Sequence, residues 1–294
     1  MFINLKDPVV AAAHRSGDFT LASGNDGADT LIGGSGRNGL FGGGGDDIIV
    51  GGPSDDELMG EGIASAAIWP PPPIPEVYFG RDLIFGGAGN DQISGDWGSD
   101  TLFGEAGADT LGGGEGDDVL FGGAGADMLE GGIGRDVLYG GSGSDTIDGG
   151  TGRNLLAGGA GKDVFRLSSP SDAEPDVLDD AVQVILDFRQ GQDLIDLGRL
   201  NSYAGWWGDL QDEAFVFRGE EALIDYDEAS PEFGPAMPGQ LRYELRGNTT
   251  VVQLDVAKGH VYMAHGVIGR ADGVVDTEIV LLGRHHLTAA DFLL

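Results

Sequence analysis

From Gly86 the chain reads GGAGNDQIS, GDWGSDTLF, GEAGADTLG, GGEGDDVLF, GGAGADMLE, GGIGRDVLY, GGSGSDTID, GGTGRNLLA and GGAGKDVFR, nine residues at a time as far as Arg166. Upstream, Gly24 opens GNDGADTLI, GGSGRNGLF, GGGGDDIIV and GGPSDDELM. Between the two runs, Gly60-Glu61-Gly62 supplies the head of one more unit and Gly80-Arg81-Asp82-Leu83-Ile84-Phe85 its tail. Removing residues 63–79 joins them as GEGGRDLIF, so there are 14 units, one with 17 residues inserted in its turn. The first column is glycine in all 14, the fourth is glycine in 13 with Ser54 the exception, and the eighth is always apolar. The sixth is aspartate in 12 units and asparagine in two, Asn38 and Asn154.

Each column has a physical reason. Glycine reaches positive φ and lets carbonyls turn toward a shared point without a Cβ in the way. Aspartate adds a hard anionic oxygen, the ligand type calcium prefers. The last three residues suit a short strand whose single inward side chain is the eighth residue. One apolar side chain per unit cannot make a core, but stacked units can. A flexible glycine-rich linker would not hold an apolar residue to one column. The scattered Gly-x-Gly-x-x-Gly spacings open no amphipathic helix after a strand, so they carry no dinucleotide site.

Composition points the same way. Acidic residues outnumber basic ones 49 to 16, for a net charge of −33, while 40% hydrophobic content requires something packed. Nucleic acid and anionic membranes would be repelled, and cations attracted. Cysteine is absent, so no disulfide staples the chain even in an oxidising compartment, and a metal would have to take that role. No apolar run approaches the roughly 20 residues of a membrane helix, and the first residues lack the basic-then-apolar pattern of a cleaved signal peptide.

The nonapeptide resembles the RTX (hemolysin-type) calcium-binding repeat. The resemblance covers residues 24–166 and implies an all-β fold, a parallel β-roll with two nonapeptides per coil and several Ca2+ ions held between units n and n+2. The ligand pairs it implies are Asp29 with Asp47, Asp47 with Asp82, Asp56 with Asp91, Asp82 with Asp100, Asp91 with Asp109, Asp100 with Asp118, Asp109 with Asp127, Asp118 with Asp136, Asp127 with Asp145, and Asp145 with Asp163. Asn38 with Asp56 and Asp136 with Asn154 are the weaker pairs. Residues 1–23 are expected to be an N-terminal cap segment.

After Arg166 glycine thins and Trp206, Trp207, Phe215, Phe217, Tyr226, Phe233, Tyr243 and Tyr262 appear. Residues 182–188, 214–217, 240–245, 250–256 and 278–282 read as strands between Gly, Asn and Asp turns. Residues 167–294 are thus expected to form a C-terminal β domain capping the open end of the roll. Asp163-Val164-Phe165, the stretch from Leu186 to Leu197, Gly239-Gln240-Leu241-Arg242-Tyr243 and the ending from Val280 to Leu294 resemble the C-terminal domain of serralysin-type secreted proteases. That resemblance implies an uncleaved type I secretion signal ending in Asp291-Phe292-Leu293-Leu294, hence the type I secretion machinery as a partner and an extracellular or cell-surface location in a bacterium.

Serralysins are zinc proteases, but their His-Glu-x-x-His motif is missing. The histidines are His14, His260, His265, His285 and His286, with no His-Glu pair, and a separation of five does not place two of them on one helical face. Thiol chemistry and a Gly-x-Ser-x-Gly elbow are also excluded. The expectation is a protein with no catalytic residues, structural or interaction-related in role. The alternatives are a secretion and folding module for a separate partner enzyme, and a small glycan-active enzyme within residues 167–294. The inserted residues 63–79 contain Pro70-Pro71-Pro72-Pro73, whose extended helix can present a surface to a protein or glycan partner.

Overall fold

The computed structural model describes residues 10–12, 20–61, 80–167, 182–197, 216–219, 240–255 and 277–293. The insertion at 63–79, with the partner contact expected of it, lies outside the described residues. So do His14, His260 and His265.

The chain winds as a parallel β-solenoid of about 7 turns. Alternate units feed two sheets. The first runs from Val10–Ala12 through Thr30–Ile32, Ile48–Gly52, Leu83–Ala88, Thr101–Ala106, Val119–Ala124, Val137–Ser142 and Thr151–Ala160 to Val182–Ile185. The second runs from Thr20–Ser23 through Asn38–Gly43, Glu57–Glu61, Gln92–Trp97, Thr110–Glu115, Met128–Gly134, Thr146–Asp148 and Val164–Arg166 to Leu194–Asp196. Every strand named so far pairs in parallel with the strand one coil away, the long-range arrangement that two short strands per coil impose. The two N-terminal strands, Val10–Ala12 and Thr20–Ser23, extend the sheets by one rung each.

The core is a single file. Leu31, Leu40, Ile49, Leu58, Ile84, Ile93, Leu102, Leu111, Leu120, Leu129, Leu138, Ile147, Leu156 and Phe165, one from each unit, are all buried. Burial of one such side chain is worth about 1.5–3 kcal/mol, too little to order a coil by itself and enough only when neighbours share it. The column ends in bulkier groups, with Phe165 tilted against Phe188 at 6.3 Å and Phe188 edge-on to His285 at 5.5 Å. Leu197, Leu287 and Phe292 complete that plug.

The C-terminal strands join the same two sheets. Thr277–Leu282 adds in parallel to Val182–Ile185, and Phe292–Leu293 adds to Leu194–Asp196. Thr249–Asp255 then pairs antiparallel with both Gln240–Arg246 and Thr277–Leu282. The first sheet therefore leaves the coil geometry by reversing strand direction, which ends the stack.

The two outer faces differ. In the second sheet the outward positions include Glu57, Gln92, Ser94, Thr110 and Glu130. In the first they include Ile48, Leu83, Val119, Val137 and Leu155, beside a stack of Phe85, Phe103, Phe121 and Tyr139 with ring centroids 4.9, 4.9 and 5.2 Å apart. Identical columns one coil apart place the rings at the strand spacing, so they stack nearly parallel.

The stack is unbroken across the insertion. Ile48, Ile49 and Val50 pair with Leu83, Ile84 and Phe85, and Glu57 and Leu58 pair with Gln92 and Ile93. A loop that leaves and re-enters at one turn costs little more as it lengthens. Deleting residues 63–79 should therefore preserve the number of calcium ions bound per chain. Isothermal titration calorimetry checks this, and a loss of ions would show that the two halves are held in register by the inserted segment.

Candidate metal centre

All 12 sixth-column aspartates, Asp29, Asp47, Asp56, Asp82, Asp91, Asp100, Asp109, Asp118, Asp127, Asp136, Asp145 and Asp163, are at most 2% exposed, as are Asn38 and Asn154. Burying a carboxylate is costly unless something answers its charge. The two oxygens of each group meet different fates.

Oδ1 belongs to the backbone. The Asp82 N–H donates to Oδ1 of Asp100 at 2.8 Å, Asp100 to Asp118 at 2.8 Å, and Asp118 to Asp136 at 2.9 Å. The opposite row repeats this, with Asp91 donating to Asp109, Asp109 to Asp127 and Asp127 to Asp145 at 2.8–2.9 Å. Asp47 donates to Asp82 at 2.8 Å and Asp56 to Asp91 at 2.7 Å, so both rows cross the insertion. The structure thus brings together the residues of units n and n+2 through a carboxylate-to-amide ladder along each edge of the roll.

Oδ2 belongs to nothing in the protein. It is buried without a hydrogen-bond partner in Asp47, Asp56, Asp82, Asp91, Asp100, Asp109, Asp118, Asp127, Asp136, Asp145 and Asp163. Asp29 differs, because its Oδ2 accepts the Asn25 N–H at 2.7 Å. Each orphaned oxygen faces the first-column glycine of its own unit. A Cβ placed on Gly122 would lie 2.6 Å from Oδ2 of Asp127 and 2.7 Å from the Gly140 carbonyl oxygen. On Gly131 the same atom would lie 2.6 Å from both Oδ2 of Asp136 and the Gly149 carbonyl. Only glycine leaves room there, and what converges on the space is acceptor oxygen with no donor.

Electrostatics follow from this arrangement. Burial, opposed in part by the amide ladder, pushes the carboxyl pKa of Asp109, Asp118 and Asp145 up from 3.8 to about 6. It pushes Asp47, Asp82, Asp91 and Asp136 up to about 7. Asp100 reaches about 9, with Asp82, Asp118 and Glu61 adding repulsion. Charged carboxylates at these positions call for a cation. Hard carboxylate and carbonyl oxygens are the donor set of calcium, so the residues present fit the ion. No three histidine, cysteine or acidic side chains converge among the described residues, so carbonyls must complete the coordination. Calcium bound there would supply the charge that the buried oxygens lack.

The asparagine units satisfy themselves. Nδ2 of Asn38 donates to the Gly36 carbonyl at 2.7 Å and to Oδ1 of Asp56 at 3.0 Å. Nδ2 of Asn154 donates to the Gly149 carbonyl at 2.7 Å. A neutral amide donor thus stands where the aspartate units present a bare oxygen.

Four residues that the sequence reading left unassigned also bond the turns, and two of them continue the rows. Asp193 continues one row, accepting the Asp163 N–H at 3.2 Å and the Arg189 N–H at 2.7 Å. Its signal was Asp193-Leu194-Ile195, the tail of a nonapeptide without the glycine head. Gln183 follows Asn154 in the other row and donates to the Gly150 carbonyl at 2.9 Å. Asp187 accepts from Gly158 and Gly159. Glu61, wholly buried, accepts from Gly80 and Trp97.

Comparison with known proteins agrees over the repeats. The family model of the RTX calcium-binding nonapeptide repeat (4 copies) matches residues 23–58, 78–111, 103–138, 112–147 and 139–169. Among solved structures, the solution structure of the AlgE6R3 subunit from the Azotobacter vinelandii mannuronan C5-epimerase is similar over 64% of this chain and 78% of that one, at 24% identity and a TM-score of 0.25. No curated protein matches the sequence.

Two tests follow from the site. Asp118→Ala removes an orphaned oxygen and a ladder acceptor in mid-stack, and should raise the calcium concentration at half-saturation severalfold. Asn154→Ala should change it little, because its amide already fills its turn. A calcium titration of both variants checks the contrast. The raised carboxyl values also fix a pH dependence. The folded, metal-free chain holds protons that the unfolded chain releases near its ordinary 3.8, so its relative stability is fullest below that pH. That stability is lost as pH rises through about 6–9, where the folded groups titrate. Calcium competes with those protons, so its half-saturation point should rise as pH falls from about 8 to about 5.5, read in the same titration.

Proposed function

Because residues 23–58 and 78–169 of this chain are RTX calcium-binding nonapeptide repeats, we propose that it is a secreted protein that stays unfolded until it meets calcium outside the cell, and then serves a structural or interaction role there. The single observation that supports this most is the row of orphaned, buried Oδ2 atoms in 11 aspartates. Extracellular calcium modules bind with Kd on the order of 10⁻⁴–10⁻³ M. At cytosolic calcium the stacked carboxylates, spaced by roughly 4.8 Å, would oppose coiling, and the chain would remain exportable. In this reading the resemblance of the C-terminal region to serralysin C-terminal domains marks it as the type I secretion signal.

The reading includes no catalytic step of its own. A cleft near the plugged end is lined by Asp163 and Asp291 together with Gln190, Gln192 and Thr288. Asp291 is engaged there by the N–H and hydroxyl of Thr288 at 2.7 and 3.0 Å and by the Gly191 N–H at 3.3 Å. Those contacts favour a role in seating the last strand over one as an acid or base. The outward stack from Phe85 to Tyr139 favours an interaction role over a purely structural one. Action beside a separate partner enzyme is the second form of that role, and pull-down of the chain from culture medium distinguishes the two.

Far-ultraviolet circular dichroism tests the folding claim. The chain should be coil in chelator and β-structured in millimolar calcium. An equally folded spectrum in chelator would overturn it.

A further inference from the structure

Three units carry an acid in the second column, Glu61, Asp96 and Glu105, where most others have glycine. Asp96 and Glu105 keep the positive φ that the column's glycines show, at 69° and 73°. Asp96 is half-buried and Glu105 exposed. Glu61 has no positive φ among the described residues and is 0% exposed. Its nonapeptide is the one interrupted by residues 63–79, and its side chain is buried where those of Asp96 and Glu105 are not. The result is a carboxylate turned into the stack.

There Oε1 of Glu61 accepts the Gly80 N–H at 3.0 Å and Oε2 accepts the Trp97 N–H at 3.2 Å. A carboxylate offers about four acceptor sites, so each oxygen retains one. The Gly80 that donates to Glu61 also adjoins Asp82, whose Oδ1 lies 3.0 Å from the point where a side chain on Gly80 would begin and whose Oδ2 is buried without a partner against the corresponding point on Gly60. The Gly95 carbonyl oxygen lies 2.7 Å from that same point. Burial pushes Glu61 up to about 8, and Asp82 and Asp96 add repulsion. The base of the interrupted turn is therefore more acceptor-rich than the regular turns, where each first-column glycine faces one orphaned carboxylate oxygen.

We propose that Glu61 is itself a calcium ligand, adding its carboxylate to Oδ2 of Asp82 and the carbonyl of Gly95, so that this site binds more tightly than the sites along the rest of the stack, which lack that extra carboxylate. The inference rests on the reading of the roll as calcium-binding and assigns its first-filled site. Added ligand charge is what tightens oxygen-donor calcium sites. The same residue accepts from Gly80 and Trp97 across the insertion, so filling this site first would set the two halves in register before the weaker sites load.

The test is a titration of the full chain with calcium by calorimetry and with terbium by emission sensitised through indole excitation. The wild type should show one early step, and Glu61→Gln should move that step to at least about tenfold higher ion concentration while the later steps stay in place. If Glu61→Gln titrates like the wild type, Glu61 is only a staple between Gly80 and Trp97, and the proposal is overturned. If the wild type binds neither ion, the failure belongs to the calcium reading as a whole. Should Glu61→Gln not fold at any calcium concentration, wild-type chain carrying ¹³C at its glutamate carboxyls decides the matter. One glutamate resonance must then shift with the first equivalent of calcium, and the absence of any such shift overturns the proposal.

Discussion

Buried carboxylate oxygens with nothing to donate to them are the constraint on which the rest of this protein depends. In each regular unit Oδ1 is tied to the amide of the coil before it, and Oδ2 faces a carbonyl oxygen across an empty glycine corner. Two acceptors facing each other repel, and protein hydrogen bonds cannot relieve them. The ladder of Oδ1 contacts holds the coil spacing, while the Oδ2 row sets the condition under which that spacing is tolerable. The two oxygens of one side chain thus divide the work, one holding the ladder and the other offered to a cation.

The hydrophobic core is arranged to match. A single apolar residue per unit, from Leu31 to Phe165, gives the stack cohesion but leaves each coil dependent on its neighbours. The ends consequently need separate treatment. At the C-terminal end Phe188, Leu197, Leu287 and Phe292 widen the file into a plug, and Thr249–Asp255 turns the first sheet antiparallel. Asp291, which in sequence stands out as the acid before a short apolar tail, has its carboxylate held by Thr288 and Gly191 and so seats the last strand on the second sheet.

Departures from the motif are as informative as its repetition. Asn38 and Asn154 replace a bare oxygen with an amide that bonds its own turn, so those units need less from an ion. Asp96 and Glu105 replace glycine in the second column and keep its positive φ, Asp96 half-buried and Glu105 exposed. Glu61 replaces the same glycine in the interrupted unit and turns inward. One column thus holds acids of two kinds, two at positive φ and one buried.

The sequence by itself determined the unit, its register across residues 63–79, the inward column and the 12 aspartates, because a nine-residue period forces each column into one environment in every coil. Only the tertiary structure decided the split between Oδ1 and Oδ2, the inward turn of Glu61, the place of Asp193 and Gln183 in the two rows, and the apolar outer face built by Phe85, Phe103, Phe121 and Tyr139. Those properties arise between residues 18 or more positions apart, which become neighbours only when coils stack. A column reports what a position repeats, whereas the contacts across coils depend on backbone direction and on which units share a sheet.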